Sequence, residues 1–131
     1  MIVIHHNPRC GTSRNVLAAI RASGTEPIVI DYLNDGWTRP QLLALFAAAG
    51  LTPREALRAN APEAEGLDDA TDDRLIDAMI ADPVLVNRPI VCSPRGVRLC
   101  RPAEAVLPLL VQPLPADFRK EDGKPMVAAA H

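Results

Sequence analysis

The chain has 131 residues, enough for one compact domain and too few for two of ordinary size. Charge nearly cancels, 14 Lys and Arg against 16 Asp and Glu with no basic run, which argues against general nucleic-acid binding. No apolar stretch approaches the roughly 18 residues of a membrane span. The opening Met1-Ile2-Val3-Ile4-His5 lacks the basic segment and long apolar core of a signal peptide.

Three cysteines, an odd number, do not make a disulfide framework, so the expected compartment is the reducing cytoplasm, with no membrane attachment. The cations divide unevenly, 12 Arg to 2 Lys. In a chain rich in Ala and Pro this can be plain compositional bias. It can also mean that some arginines serve as planar forks for an oxyanion, a task for which Lys is a poor substitute.

In chain order, Ile2 to His5 is a β-type run. The loop Asn7-Pro8-Arg9-Cys10-Gly11 follows, and Thr12 or Ser13 is the expected cap of a helix with Val16, Leu17 and Ile20 on one face and Gly24 as its stop. Ile28-Val29-Ile30 reads as a second, buried strand, parallel to the first through a right-handed crossover. Thr38 caps a helix with Leu42, Leu45, Phe46 and Ala49 on its apolar stripe and Gly50 at its end. Thr52-Pro53-Arg54-Glu55 is a capping box with Pro in the first turn, predicting a short helix through Leu57 and Arg58. The acidic stretch 60–70 reads as loop, and Thr71 caps a helix that turns Leu75, Ile76, Met79 and Ile80 inward.

The last third changes character. Pro89 to Cys92 and Val97 to Cys100 are β runs joined by Ser93-Pro94-Arg95-Gly96, the residue pattern of a type I turn, so a hairpin is expected. Pro102 opens a final helix carrying Val106, Leu107 and Leu110, which Pro108 must kink or shorten. Residues 117–123 read as a polar segment. The order is β-α-β, an all-helical middle, then β-β-α. That order describes an α/β fold, a thioredoxin-like four-stranded mixed sheet with a helical insertion between its halves, in a single domain over 1–131.

Cys10 is the main candidate for chemistry. At a helix N-terminus, unpaired backbone N–H groups and the helix dipole favour a thiolate. His6 lies four residues upstream, Arg9 and Arg14 flank the site, and Gly11, Thr12, Ser13 and Arg14 form the expected thiolate-stabilising turn. The motif Cys10-Gly11-Thr12-Ser13 has Ser where a dithiol oxidoreductase has its resolving Cys, so any adduct on Cys10 must be resolved by an external thiol. Cys92 and Cys100 read as small strand residues.

A cysteine phosphatase loop needs C-x5-R, but the position after a five-residue spacer from Cys10 is Val16, which is apolar, and Arg14 is too near. His5, His6 and Cys10 lack the spacing of a zinc site, so no metal is expected. His5 and His6 point to opposite sides of a strand, so at most one faces the Cys loop. Three arginines stand out by position: Arg58 at the end of the capping-box helix, and Arg88 and Arg101 at the two open ends of the hairpin. Arg88-Pro89 occupies the place of the cis proline of thioredoxin-like folds, so a cis bond is expected there.

Taken together, His6-Asn7-Pro8-Arg9-Cys10-Gly11-Thr12-Ser13-Arg14-Asn15, Leu57-Arg58-Ala59-Asn60, Thr71-Asp72-Asp73-Arg74-Leu75-Ile76-Asp77, Asn87-Arg88-Pro89-Ile90-Val91, Arg98-Leu99-Cys100-Arg101-Pro102 and Lys120-Glu121-Asp122-Gly123 resemble the glutaredoxin-coupled arsenate reductases of bacteria. The resemblance implies Cys10 as nucleophile, His6 tuning its ionisation, and Arg58, Arg88 and Arg101 binding the oxyanion. It also implies reduction of arsenate to arsenite by a monomer with no bound cofactor, glutathione as co-substrate and glutaredoxin as partner. Arg9 departs from the resemblance, standing where relatives carry a small residue, and the 61–70 loop is short. Two other readings share the Cys loop: a glutathione-dependent thiol-disulfide oxidoreductase, which needs no arginine triad, and a regulator of the Spx type that binds RNA polymerase. Ser13 counts against the regulator, whose redox switch is usually C-x-x-C.

Overall fold

Val3–His6 (β1) is the strand expected at the start of the chain, shifted by one residue. The computed structural model describes residues 1–126, which form two compact units: Met1–Asp31 with the chain from Arg88 onward, and Tyr32–Asn87.

In the first unit, Gly11–Ala22 (α1) begins two or three residues earlier than expected. Cys10 itself is the N-cap, in an extended conformation, and its carbonyl accepts the Arg14 N–H at 3.0 Å. Thr12 and Ser13 therefore lie inside the first turn and do not cap it. The hydroxyl that would have capped the helix is engaged elsewhere, since Ser13 Oγ meets His6. Ile28–Asp31 (β2) runs parallel to β1, as the strand-helix-strand order requires, with Val3 opposite Ile28. The strand is not buried, however: Ile28 is 48% and Val29 40% exposed. The sheet order β2-β1-β3-β4 explains this, because β2 is an edge with a neighbour on one side only.

Ile90–Ser93 (β3) and Gly96–Leu99 (β4) form the expected hairpin, with Ser93 opposite Gly96 and Ile90 opposite Leu99. Ser93 Oγ accepts the Arg95 N–H at 3.0 Å inside the turn. β3 also pairs antiparallel with β1, which sets the mixed sheet. The final helix is not an α-helix. Ala103–Leu109 winds as a 3-10 helix with Pro108 inside it. Pro108 cannot donate to an α-helical ladder, and its ring crowds the preceding turn. The tighter winding still delivers Val106 and Leu109 to the core, where they meet Ile2, Ile4, Val16, Ile20 and Val91, with Cys100 and Met126 alongside. The polar segment near the end closes a tight turn: Lys120 N–H donates to the Lys124 carbonyl at 2.9 Å, and Lys120 Nζ reaches Glu104 Oε2 at 2.6 Å.

The second unit holds Tyr32–Asp35 (α2), Arg39–Ala49 (α3), Pro53–Ala56 (α4) and Asp72–Ala81 (α5). Its caps follow the sequence closely. Thr38 with Gln41 and Thr52 with Glu55 make reciprocal capping boxes, and the Thr71 side chain accepts the Arg74 N–H. Gly50 ends α3 at φ +69°, a conformation that a side chain would strain. α4 ends earlier than predicted. Leu57 turns extended and pairs with Val86, framed by Arg58 N–H to Leu85 O at 2.7 Å and Asn87 N–H to Ala56 O at 2.8 Å. The acidic loop contains a 3-10 turn, Pro62–Ala64, that buries Ala61, Ala64 and Leu67. Tyr32 stacks on Trp37 with ring centres 5.0 Å apart, and Leu42, Leu75, Ile76 and Met79 are fully buried.

Among the described residues no helix is long and apolar enough to cross a membrane. Ile20, which leaves no accessible surface in the first core, is its most direct probe. Ile20→Ala should lower unfolding stability by about 3 kcal/mol, the usual cost of a cavity at a closed core position, as read from urea denaturation.

Candidate active site

The loop that presents Cys10 is shaped by Asn7. Its main-chain carbonyl accepts the Cys10 N–H at 3.1 Å, and its side-chain Oδ1 accepts the Arg9 N–H at 2.9 Å. Asn7 is buried while Pro8 and Arg9 are exposed, so the chain pivots on Asn7 and turns back into α1. Cys10 ends this turn 7% exposed, with a free thiol.

Four groups converge on that sulfur. The backbone N–H groups of Ser13 and Thr12, from the first turn of α1, donate to it, and the Arg88 charge is nearby. Arg101 Nη1 donates to Cys10 Sγ at 3.4 Å and to the Arg88 carbonyl at 3.2 Å. Burial pushes the thiol pKa up, but the Ser13 amide, the Arg88 charge, the Arg101 N–H and the Thr12 amide together outweigh it and hold the pKa below the ordinary thiol value. Arg88 and Arg101 are brought to one end of the sheet by the hairpin, whose closing bond is Cys100 N–H to Pro89 O at 2.8 Å. The Arg88–Pro89 bond is cis, as its place in a thioredoxin-like fold leads one to expect, and so is Arg101–Pro102, for which the sequence offers only an X-Pro pair.

The two histidines separate as the strand alternation requires. His5 Nδ1 meets the Ile90 carbonyl at 3.1 Å, while His6 Nδ1 lies 2.7 Å from Ser13 Oγ. The same Ser13 Oγ accepts the Asn7 N–H at 3.0 Å. Burial is the largest influence on His6 and lowers its pKa; Asp31 opposes this, and Arg21 and Arg14 add to it. A neutral imidazole with its proton on Nε2 accepts the Ser13 hydroxyl proton. His6 thus reaches the sulfur through Ser13, whose hydroxyl it holds and whose N–H faces the thiol.

Arg14 turns away from the sulfur. Its Nη1 donates to the Pro8 carbonyl at 2.9 Å, and its Nε and Nη2 donate to the two Glu121 carboxylate oxygens at 2.9 and 3.2 Å. Gly11 is the first helical residue, and a Cβ there would meet only ordinary contacts, 3.6 Å from Arg14 Nη2 and 3.7 Å from Glu121 Oε1. Glu121 lies 107 residues from Arg14, and no local pattern announces such a pairing. Asn7 was equally hidden, because a loop Asn is common and its burial is decided by the fold.

Arg58 belongs to the helical unit. It is half-buried, its backbone is pinned to Leu85 and Ala61, and its Nε is buried without a hydrogen-bond partner among the described residues. Cys100 is fully buried, and desolvation pushes its thiol up to about 12. Burial also raises the Cys92 thiol. Neither shares the activated environment of Cys10. Among the described residues no group of three or more His, Cys, Asp and Glu side chains is placed to hold a metal ion.

Comparison with known proteins identifies the family. The sequence profile of the ArsC family matches residues 5–109. An arsenate reductase of Synechocystis is 59% identical, over 95% of this chain and 91% of the relative. The arsenate reductase of Escherichia coli K12 is 51% identical, over 98% of this chain and 94% of its own. Among solved structures, an arsenate reductase from Vibrio cholerae superposes with a TM-score of 0.78 at 36% identity, covering 83% of this chain and 97% of the other. With its thioredoxin-like sheet and its activated cysteine at the N-terminus of α1, the chain belongs to the ArsC family.

Proposed function

We propose that the protein reduces arsenate to arsenite with Cys10 as the nucleophile. The observation that carries this reading is the Arg101 guanidinium held 3.4 Å from the Cys10 sulfur. A thiolate approaching a dianion meets like-charge repulsion, and a guanidinium beside the sulfur both stabilises the thiolate and offers its fork to the incoming oxyanion. Thiol-disulfide exchange needs the first of these effects only. The names of the relatives, arsenate reductases at 51% and 59% identity, support the same reading.

The chemistry balances as follows. The Cys10 thiolate attacks arsenic and one arsenate oxygen leaves as water after taking up protons, giving a thiolate–arsenate(V) adduct. Glutathione then attacks the Cys10 sulfur through its own sulfur. The As–S bond breaks and its electron pair stays on arsenic, which leaves as arsenite(III). Two sulfurs are oxidised to a Cys10–glutathione mixed disulfide. Ser13 cannot resolve that disulfide, so glutaredoxin takes the glutathione and returns the thiolate.

In this scheme Arg88 and Arg101 bind the arsenate oxygens at the mouth of the hairpin. Arg58, in the helical unit, is assigned to oxyanion binding by the sequence resemblance alone. The amides of Thr12 and Ser13 hold the leaving thiolate, and His6 positions Ser13. The protein acts as a cytoplasmic monomer and one functional domain, with glutathione as co-substrate and no bound cofactor.

Arsenate-dependent NADPH consumption, coupled through glutathione reductase and glutaredoxin, tests the reading. Wild type should turn over and Cys10→Ser should show none. A serine variant with full turnover would remove Cys10 from the mechanism, and efficient deglutathionylation of protein mixed disulfides without arsenate turnover would favour the oxidoreductase instead.

Arg101→Lys should lower kcat/KM for arsenate by about 100-fold, because a lysine cannot span sulfur, carbonyl and oxyanion with one planar fork. The same variant should also move Cys10 alkylation to higher pH, since the wild-type thiol is held below its ordinary pKa and stays reactive until the pH falls through that lowered value. Alkylation profiles that coincide would show that Arg101 does not stabilise the thiolate.

A further inference from the structure

The geometry points to Glu121 as a positioning residue that, through Arg14, holds the Asn7–Cys10 loop in the shape the nucleophile needs. The inference rests on Cys10 being the reactive group. The loop spends its own hydrogen bonds inward: Asn7 takes the Cys10 and Arg9 N–H groups, and its own N–H goes to Ser13 Oγ. The Pro8 carbonyl, at the exposed crest of the turn, is held instead by Arg14 Nη1 at 2.9 Å.

A guanidinium in the first turn of α1 has other attractions within reach, above all the thiolate and any anion bound beside it. Glu121 removes that freedom. It engages Nε and Nη2 bidentately, which fixes the plane of the fork and leaves Nη1 aimed at Pro8. Glu121 is itself anchored twice. Its N–H donates to Asn15 Oδ1 at 2.9 Å on the next residue of α1, and its neighbour Lys120 is paired to Glu104 on the 3-10 helix. The turn at 120–124 therefore acts as a strap from the C-terminal segment onto the helix end that carries Cys10.

Stability is not its main effect, because the Arg14–Glu121 pair is 44% and 51% exposed, and exposed pairs contribute little. Position is. Small displacements of a reacting atom cost rate far out of proportion to their energy. Field effects are separable in sign. The charged and titratable groups near the sulfur are Arg88, Arg101, Arg14 and His6, with Glu121, Lys120 and Asp122 on the strap. Neutralising Glu121 by charge alone would lower the Cys10 pKa. Releasing the loop would raise it, because the Thr12 and Ser13 amides and Arg101 would no longer converge on the sulfur.

The test uses the full chain with Glu121→Gln and Glu121→Asp, the second keeping the charge but falling one methylene short of a bidentate grip. Cys10 alkylation by iodoacetamide is followed against pH by peptide mass spectrometry, which separates Cys10 from Cys92 and Cys100 and needs no arsenate. Arsenate turnover is measured in parallel, with circular dichroism and thermal melts for folding. Both variants should melt close to wild type, shift Cys10 alkylation to higher pH and lose about tenfold in kcat. In an Arg14→Ala background either substitution should add nothing further. A Glu121→Gln alkylation profile that moves to lower pH, a Glu121→Asp variant with wild-type kcat, or losses that add to those of Arg14→Ala would each overturn the inference. If wild type itself fails to reduce arsenate while the alkylation shifts appear, the proposed activity fails and the strap stands.

Discussion

The first unit is organised around one constraint, that of lowering the pKa of a thiol in a nearly closed position. Burial alone would make Cys10 an inert thiol, as it does Cys100, whose pKa rises to about 12. The difference between the two is donor supply. Cys10 sits where α1 begins, so two backbone N–H groups that no helix can satisfy point at its sulfur, and the guanidinium groups of Arg88 and Arg101, at the open end of the hairpin, complete the set. A helix terminus can be built from one segment of sequence. The guanidinium pair cannot, and this makes the sheet part of the chemistry.

The hairpin answers that need by geometry. β3 lies against β1, and β1 leads directly into the Cys loop, so the ends of β3 and β4 fall beside the start of α1. Arg88 stands just before β3 and Arg101 just after β4, and antiparallel pairing brings the two to the same edge. Their mutual contact, Nη1 of one on the carbonyl of the other, orients Arg101 without a carboxylate. In the proposed reaction, an acid there would compete with an arsenate dianion for the same fork. Arg14, which does have a carboxylate partner, is turned away from the sulfur. The division between committed and available guanidinium groups is thus readable from their partners.

The sequence was most legible where structure is local. Capping boxes at Thr52, the cap at Thr71, the Gly50 stop and the Ser93–Gly96 turn all depend on residues within four positions of one another, and all appear where expected. The departures from expectation, Pro108 aside, share one origin. Thr12 and Ser13 looked like caps, but the Ser13 hydroxyl is drawn to His6 on a neighbouring strand. The α4 helix stopped at Ala56 because Leu57 found Val86, and the last helix tightened because Pro108 sits inside it. Apart from that proline, the winning partner lay outside the helix's own capping window and could not be weighed from local pattern.

What the sequence by itself determined was the order of elements, the place of Cys10 at a helix start and the family resemblance, because helix starts, turns and motifs are encoded in short windows. The imbalance of 12 Arg to 2 Lys said only that forks were available. Which forks face the sulfur and which are tied up was decided by tertiary structure. Arg101 reaches Cys10 across 91 residues and Arg14 reaches Glu121 across 107. The physical reason is that a guanidinium's role is set by its partners, and partners at such separations exist only once the sheet has formed and the C-terminal segment has folded back over α1.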